Sequence, residues 1–191
     1  MVRKLVVNAD DLGLTTGVNQ GIFDAHDRGI VTSASLMANA PATSDAIRRV
    51  RFRPSLGIGA HLMLVDGVPM LPPNRVPTLV DGDERFRPSW KPFIAACLRG
   101  RIHTGVMSAD SLAGTVRRLR PGVTELMVHP GYVDDALRSH PTRLQSSRAA
   151  EVDLLCSRSA ANLIADENVQ LVRHDLVPSD MLLPRSFRNA S

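Results

Sequence analysis

Between residues 3 and 64 the chain alternates short apolar runs with helical periods, and that rhythm leaves few folds open. Residues 3–9, built on Leu5-Val6-Val7, read as a buried strand. Over 15–28, Val18, Ile22 and Ala25 recur at helical spacing and Gly29 supplies a stop. A β-branched run at 30–38 predicts a second strand, and 55–64 a third. Between them, 41–52 reads as a helix with Pro41 near its start, Ile47 and Val50 on one side, and arginines late, where they suit the C-terminus. The order β-α-β-α-β predicts an α/β fold with parallel strands and right-handed crossovers.

The rhythm then breaks. Residues 65–89 carry Pro69, Pro72, Pro73, Pro77 and Pro88 with Gly67 and Gly82, a long loop with room for a short hairpin. A short helix at 90–99 closes at Gly100. Ser108 can cap a helix over 109–119, with Leu112, Val116 and Leu119 on one face. Pro121-Gly122 marks a turn, and a strand over 123–131 ends in His129-Pro130-Gly131. One long helix is expected over 144–166, with Val152, Leu155, Cys156, Ser159 and Leu163 at core spacing, then a last strand at 169–174. The division is one α/β domain, 1–177, and a C-terminal tail, 178–191.

Composition removes several function classes. At 191 residues and 43% hydrophobic content the chain can bury a real core. Aromatics at 4% are too few for a single-strand stacking platform. The net charge is +4, yet the basic residues, arginines apart from Lys4 and Lys91, are dispersed, which argues against nucleic-acid binding. Cys97 and Cys156 sit in apolar helical patterns and read as buried free thiols. No apolar run reaches the ~18 residues of a membrane span, and the three apolar residues after Arg3-Lys4 are too short for a signal peptide, so a cytoplasmic location is expected. No phosphate-binding loop, dinucleotide fingerprint, nucleophile elbow or CxxC pair is present.

What remains is a set of groups at strand ends: Asp10-Asp11, His61 and His129. In parallel α/β folds the carboxyl ends of the strands converge on one face, where sites form. Gly57, Gly59 and His61 share one side of their strand. That pattern fits either close packing against a neighbour or a floor cleared for a ligand. Asp10 and Asp11 should face opposite ways on a regular strand, and reach one site only if the chain curls, as Gly13 permits. Asp11 could instead cap the next helix or start a turn. With both histidines included, a divalent cation is the better account: it offsets the paired carboxylates and lowers the pKa of water. One aspartate then serves as ligand and the other as base. Mixed Asp/His donors suit Zn²⁺, Mn²⁺, Co²⁺ or Mg²⁺. His26 reads as a surface residue, and His103, His140 and His174 as loop positions.

The stretches "VNADDLGLTTGVNQGIFDAHDRGIVTSASLMANAP", "LGIGAHLMLVDGVP", "GVTELMVHPGYVDDAL" and "RAAEVDLLCSRSAANLIADENVQLVRHDL" resemble the YdjC-like (ChbG/HpnK) carbohydrate deacetylases. The resemblance implies a distorted (β/α) barrel and a metal-dependent hydrolase that releases acetate from N-acetylated sugars such as chito-oligosaccharides. By motif it implies Asp10 as general base, Asp11 and His61 as ligands of a divalent ion, Mg²⁺ or Zn²⁺ foremost, and His129 lining the site to protonate the leaving amine or steady the oxyanion. One departure stands out. The family's His-rich strand, which gives a third metal ligand, has no counterpart here. The chain passes from "WKPFIAACLRGRI" almost directly to "HTGVMSADSL", so the barrel is expected to be incomplete. Either His129 or His103 takes the third place, or a second copy closes the barrel as a homodimer, or the chain is a shortened sugar- or partner-binding relative without catalysis. Metal-dependent hydrolysis of another bond, such as a phosphoester, is a weaker reading, since no phosphate cradle is evident.

Overall fold

Strand β1 (Arg3–Leu12) is the centre of a parallel sheet. The computed structural model describes residues 2–63, 68–76, 80, 82–83, 86, 107–140, 142 and 144–177. One edge of β1 pairs with β4 (Gly122–Val128) from Arg3 to Ala9. The other edge is shared. Its first residues pair with β5 (Val169–Leu171), and its later ones with β2 (Ser33–Leu36). The Leu5 carbonyl accepts from the Val172 amide and the Val7 carbonyl from the Thr32 amide, so both partners lie on one side. β3 (Gly57–Ala60) pairs with β2, giving the order β3-β2-β1-β4. Among the described residues the sheet is open, as in a distorted, incomplete (β/α) barrel.

Leu5, Val7 and Ala9 are fully buried in the main core, together with Val18, Ile22, Phe23 and Ala25 of α1 (Thr16–Asp27). Val6 is buried as well, so β1 is covered on both faces, as its near-continuous apolar run requires. Thr15 caps α1 by accepting from the Val18 amide. α2 (Thr43–Val50) is shorter than expected, and its buried residues are Thr43 and Ala46, while Ile47 is 45% exposed. α3 (Ala109–Arg117) has the expected Ser108 cap and buries Leu112 and Val116. α4 (Asp135–Arg138), not anticipated, is capped by Asp134.

The single helix expected over 144–166 is two. α5 (Ser146–Leu155) stops at Cys156, and Ser157, in extended conformation, caps α6 (Arg158–Asp166) through the Ala160 amide. The break shifts the helical phase. Ala160 and Ile164 become the core residues, Ser159 is exposed, and Leu163 and Cys156 are half-buried rather than buried. α1 packs on α5 and α3 on α6. A Cβ on Gly21 of α1 would lie 2.4 Å from the Gly131 Cα, so glycine is what lets that helix seat against the His129-Pro130-Gly131 turn.

Of the long proline-rich loop, a 3₁₀ turn at Pro73–Arg75 and an antiparallel bridge between Val80 and Phe86 are seen, the latter in keeping with a short hairpin. The helix expected at 90–99, Cys97, His103 and the tail from 178 lie outside the described residues. Among the described residues no helix is long and apolar enough to cross a membrane.

Candidate active site at the strand ends

The curl that brings both aspartates to one end of the sheet is made by Asp11 itself. Between Ala9↔Ala34 and Leu12↔Leu36 the β1–β2 register slips by one residue, and Asp11 has a left-handed φ of 68°. This is a bulge, which re-aims side chains at a strand end. Gly13, the expected bend, follows with φ 100° and continues the turn that the Asp11 carbonyl starts by accepting from the Leu14 amide. Helix α1 is capped by Thr15, not by Asp11.

His61 follows β3, and its Nδ1 stands 3.3 Å from the Asp11 amide and 3.5 Å from Asp11 Oδ1. The other carboxylate oxygen, Oδ2, accepts from Arg148 Nη2 at 2.5 Å. Arg148 lies on α5, 1% exposed. Burial alone would push the Asp11 carboxyl up, but the Arg148 charge and hydrogen bond, with help from His129 and His61, hold it below the ordinary value. The positive charge beside the paired aspartates is thus supplied by the chain itself.

Asp10 is 8% exposed and has no such partner. Its Oδ1 accepts from Asn8 Nδ2 at 2.9 Å, and the same amide group donates to Ser35 Oγ at 2.8 Å. Burial raises the Asp10 carboxyl pKa. Its neighbours His61, Ser35 and His129 offset this in part, while Asp11 adds to it. Two adjacent carboxyls are therefore pushed in opposite directions, a division that commonly separates a base from a charged anchor.

His129 follows β4. Its amide donates to Glu151 Oε2 at 2.7 Å, and Glu151, fully buried on α5, also accepts from the Met107 amide at 3.3 Å through Oε1. The His129 Nδ1 is buried with no hydrogen-bond partner.

At the strand ends Asp11 and His61 are in contact, and His129 and Asp10 lie near enough for their charges to act on this pair. Below Asn8 and Ser35, a cavity of about 290 Å³ is lined by Ser33, Gly59, Glu125, His174 and Asp175 among others. The close-packing reading of the glycine pair holds at Gly57 and not at Gly59. A Cβ on Gly57 would crowd Asp175 and Ser33, whereas nothing lies within 4 Å of one on Gly59. His26 is not a plain surface residue; its Nδ1 meets the Val31 carbonyl and its Nε2 the Ser55 hydroxyl. Arg148, Glu151 and Asn8 were not singled out in the sequence. The signal for Arg148 was its place four residues before Val152, on the stripe that should be apolar.

A carboxylate and an imidazole 3.5 Å apart form a donor pair of the chemistry a divalent ion takes, and the orphaned His129 nitrogen is a further polar atom nearby. Among the described residues no group of three or more His, Cys, Asp or Glu side chains is arranged to hold a metal. The pair fits an ion as a partial coordination set.

The parallel α/β sheet thus carries a carboxylate–imidazole pair at its strand ends. The YdjC-like protein family model matches residues 4–103 and 93–166, and the chain belongs to that family. A carbohydrate deacetylase of Brevibacillus brevis is 49% identical over 84 residues, 44% of this chain and 33% of that protein. One from Halalkalibacterium halodurans is 48% identical over 84 residues, 35% of its length. These matches span about a third of the relatives. A third, from Thermoanaerobacter pseudethanolicus, is 24% identical in an alignment covering 92% of this chain and all of that protein. The fold matches a crystal structure from Enterococcus faecalis V583, of a protein proposed to cleave cellobiose-phosphate, with TM-score 0.81 at 21% identity, covering 92% of this chain and 98% of that one.

Proposed function

We propose that the chain is a metal-dependent hydrolase that removes the N-acetyl group from an acetylated amino sugar or chito-oligosaccharide. The observation that carries this is the geometry at the strand ends, where Asp11 Oδ1 stands 3.5 Å from His61 Nδ1 and the adjacent Asp10 carboxyl is buried against the Asn8 amide. The names of the aligned relatives supply the substrate class.

Asp11 and His61 would hold the divalent ion, Mg²⁺ or Zn²⁺. When bound, it supplies Lewis acidity and lowers the pKa of water toward neutrality. Asp10, whose burial makes it a stronger base than a solvated carboxylate, takes a proton from the attacking water. The water oxygen adds to the acetamide carbonyl carbon, the C–N bond breaks, and His129 gives a proton to the departing amine. Acetate and the free amino sugar leave. Asn8 keeps the Asp10 carboxylate in place meanwhile.

The test is acetate release from N-acetylated chito-oligosaccharides under added divalent metals, with and without chelator. Asp10→Asn should lower the rate by ~10²–10⁴-fold with the fold intact. No release under any metal would remove the reading.

The absence of a three-residue ligand group among the described residues favours a second reading, a non-catalytic sugar-binding relative. Calorimetry separates the two: sugar binding unaffected by chelator, with no metal affinity, selects the second. Self-association belongs to either reading. Among the described residues β3 and β4 each have one unpaired edge, and Leu62, Met70 and Leu71 are exposed nearby in sequence to β3. A solution mass of twice 20.7 kDa is its signature.

A further inference from the structure

We propose that Arg148 is the positioning residue of this site, acting through Asp11 and never on substrate; the inference rests on the metal-dependent reading above. A bulged, left-handed Asp11 does not inherit its side-chain direction from the strand. Something else must aim the carboxylate, and one side chain does so. The Arg148 guanidinium is tied through Nε to the Leu144 carbonyl at 2.7 Å and through Nη2 to Asp11 Oδ2 at 2.5 Å. With Oδ2 taken, Oδ1 is the oxygen presented to His61.

The surroundings are shaped for this arginine. The Gly131 amide donates to the Arg148 carbonyl at 3.2 Å, and a Cβ on Gly131 would lie 3.2 Å from Arg148 Cδ. The turn that carries His129 is thus fitted around the arginine stem. The third guanidinium nitrogen, Nη1, is buried without a partner. A cation buried with one counter-ion and an unsatisfied donor is a poor device for stability, since an apolar replacement is often as stable. It is a good device for fixing one carboxylate. Groups that orient metal ligands from behind commonly govern metal affinity about 10–100-fold.

The experiment compares wild type with Arg148→Gln, Arg148→Lys and Arg148→Ala. Mn²⁺ affinity is read by calorimetry, and the Asp11 amide resonance is read by NMR in metal-free protein. We expect Arg148→Gln to weaken Mn²⁺ binding about 10–100-fold while the circular dichroism stays that of wild type. Millimolar guanidinium should restore binding to Arg148→Ala, a rescue that a space-filling role would not give. Arg148→Lys, which keeps charge but not the fork, should fall between. Affinity within about twofold of wild type in a folded Arg148→Gln overturns the proposal. If the wild type binds no metal, the reading of the site fails, and the Asp11 amide still decides on Arg148: a displaced resonance in Arg148→Gln supports the role and an unmoved one overturns it. If no variant folds, the wild type decides alone, because Mn²⁺ must broaden the Arg148 Nε–H resonance and an unaffected signal overturns the assignment.

Discussion

Single residues hold the strand-end turn together. Asn19 is fully buried on α1; its Oδ1 accepts from the Gly13 amide at 2.7 Å, and its Nδ2 donates to the Ala42 carbonyl and Asp45 Oδ2, both at 3.0 Å. Asn19→Ala strands the buried Gly13 amide, at a cost of ~1–3 kcal/mol, while the Ala42 carbonyl still accepts from the Ala46 amide at 3.0 Å. Chemical unfolding should show a loss of roughly 1–3 kcal/mol, on that same scale.

Asp134 gives a pH signature. Burial pushes its carboxyl up, but the Leu137 and Gly17 amides that it accepts, at 2.8 and 2.6 Å, outweigh this and hold it low. A depressed folded pKa means stability that is whole above the ordinary carboxylate range, near pH ~4. That stability drains as pH falls through the lower folded value. Asp134→Asn keeps the acceptor for Leu137, loses the one for Gly17, and removes the titration. Its urea midpoint should fall less between about pH 5 and pH 3 than that of wild type, as the linkage requires.

At this scale the sequence was informative where polarity broke an apolar strand. Asp10 and Asp11 interrupt a buried apolar strand and His129 follows the buried Val128, so their oddness was visible, whereas His61 follows a strand whose last three residues are exposed. Arg148 and Glu151 sit on the stripe set by Val152 and Leu155, but their roles come from partners distant in sequence, the Asp11 carboxylate and the His129 amide.

At the scale of elements, the helical phase departs from the expected one only after Cys156. The apolar positions at 152, 155 and 163 suit one continuous helix, and nothing in hydrophobic spacing marks the stop at Cys156. The stop is made by hydrogen bonds: Ser157 Oγ accepts from the Ala160 amide at 3.1 Å and donates to the Leu154 carbonyl at 2.7 Å. Capping competes with helix continuation at serine, and here the cap wins. Ser157→Ala should cost about 1 kcal/mol, read as a lower unfolding midpoint. The strands were legible in kind and order, since alternation with helices dictates parallel pairing. Their ends were not. β2 and β3 are four residues each, and only pairing geometry trims them.

At the level of the whole molecule, the site joins parts of the chain far apart in sequence. Asp11 ends β1, His61 follows β3, His129 follows β4, and Arg148 and Glu151 reach in from α5. A ligand bridging Asp11 and His61 therefore binds only when β1, β2 and β3 are assembled, and its binding free energy adds to folding. At a metal concentration of about 100 times Kd the gain is ~2.7 kcal/mol. For a chain of this size each kcal/mol moves Tm by roughly 2–4 °C, so the midpoint should rise by roughly 5–10 °C, with chelator reversing it. His61→Ala, at the half-buried end of a strand and outside the main core, should abolish the rise while leaving the metal-free midpoint near that of wild type. A metal-induced rise that survives His61→Ala would place the ion elsewhere on the molecule.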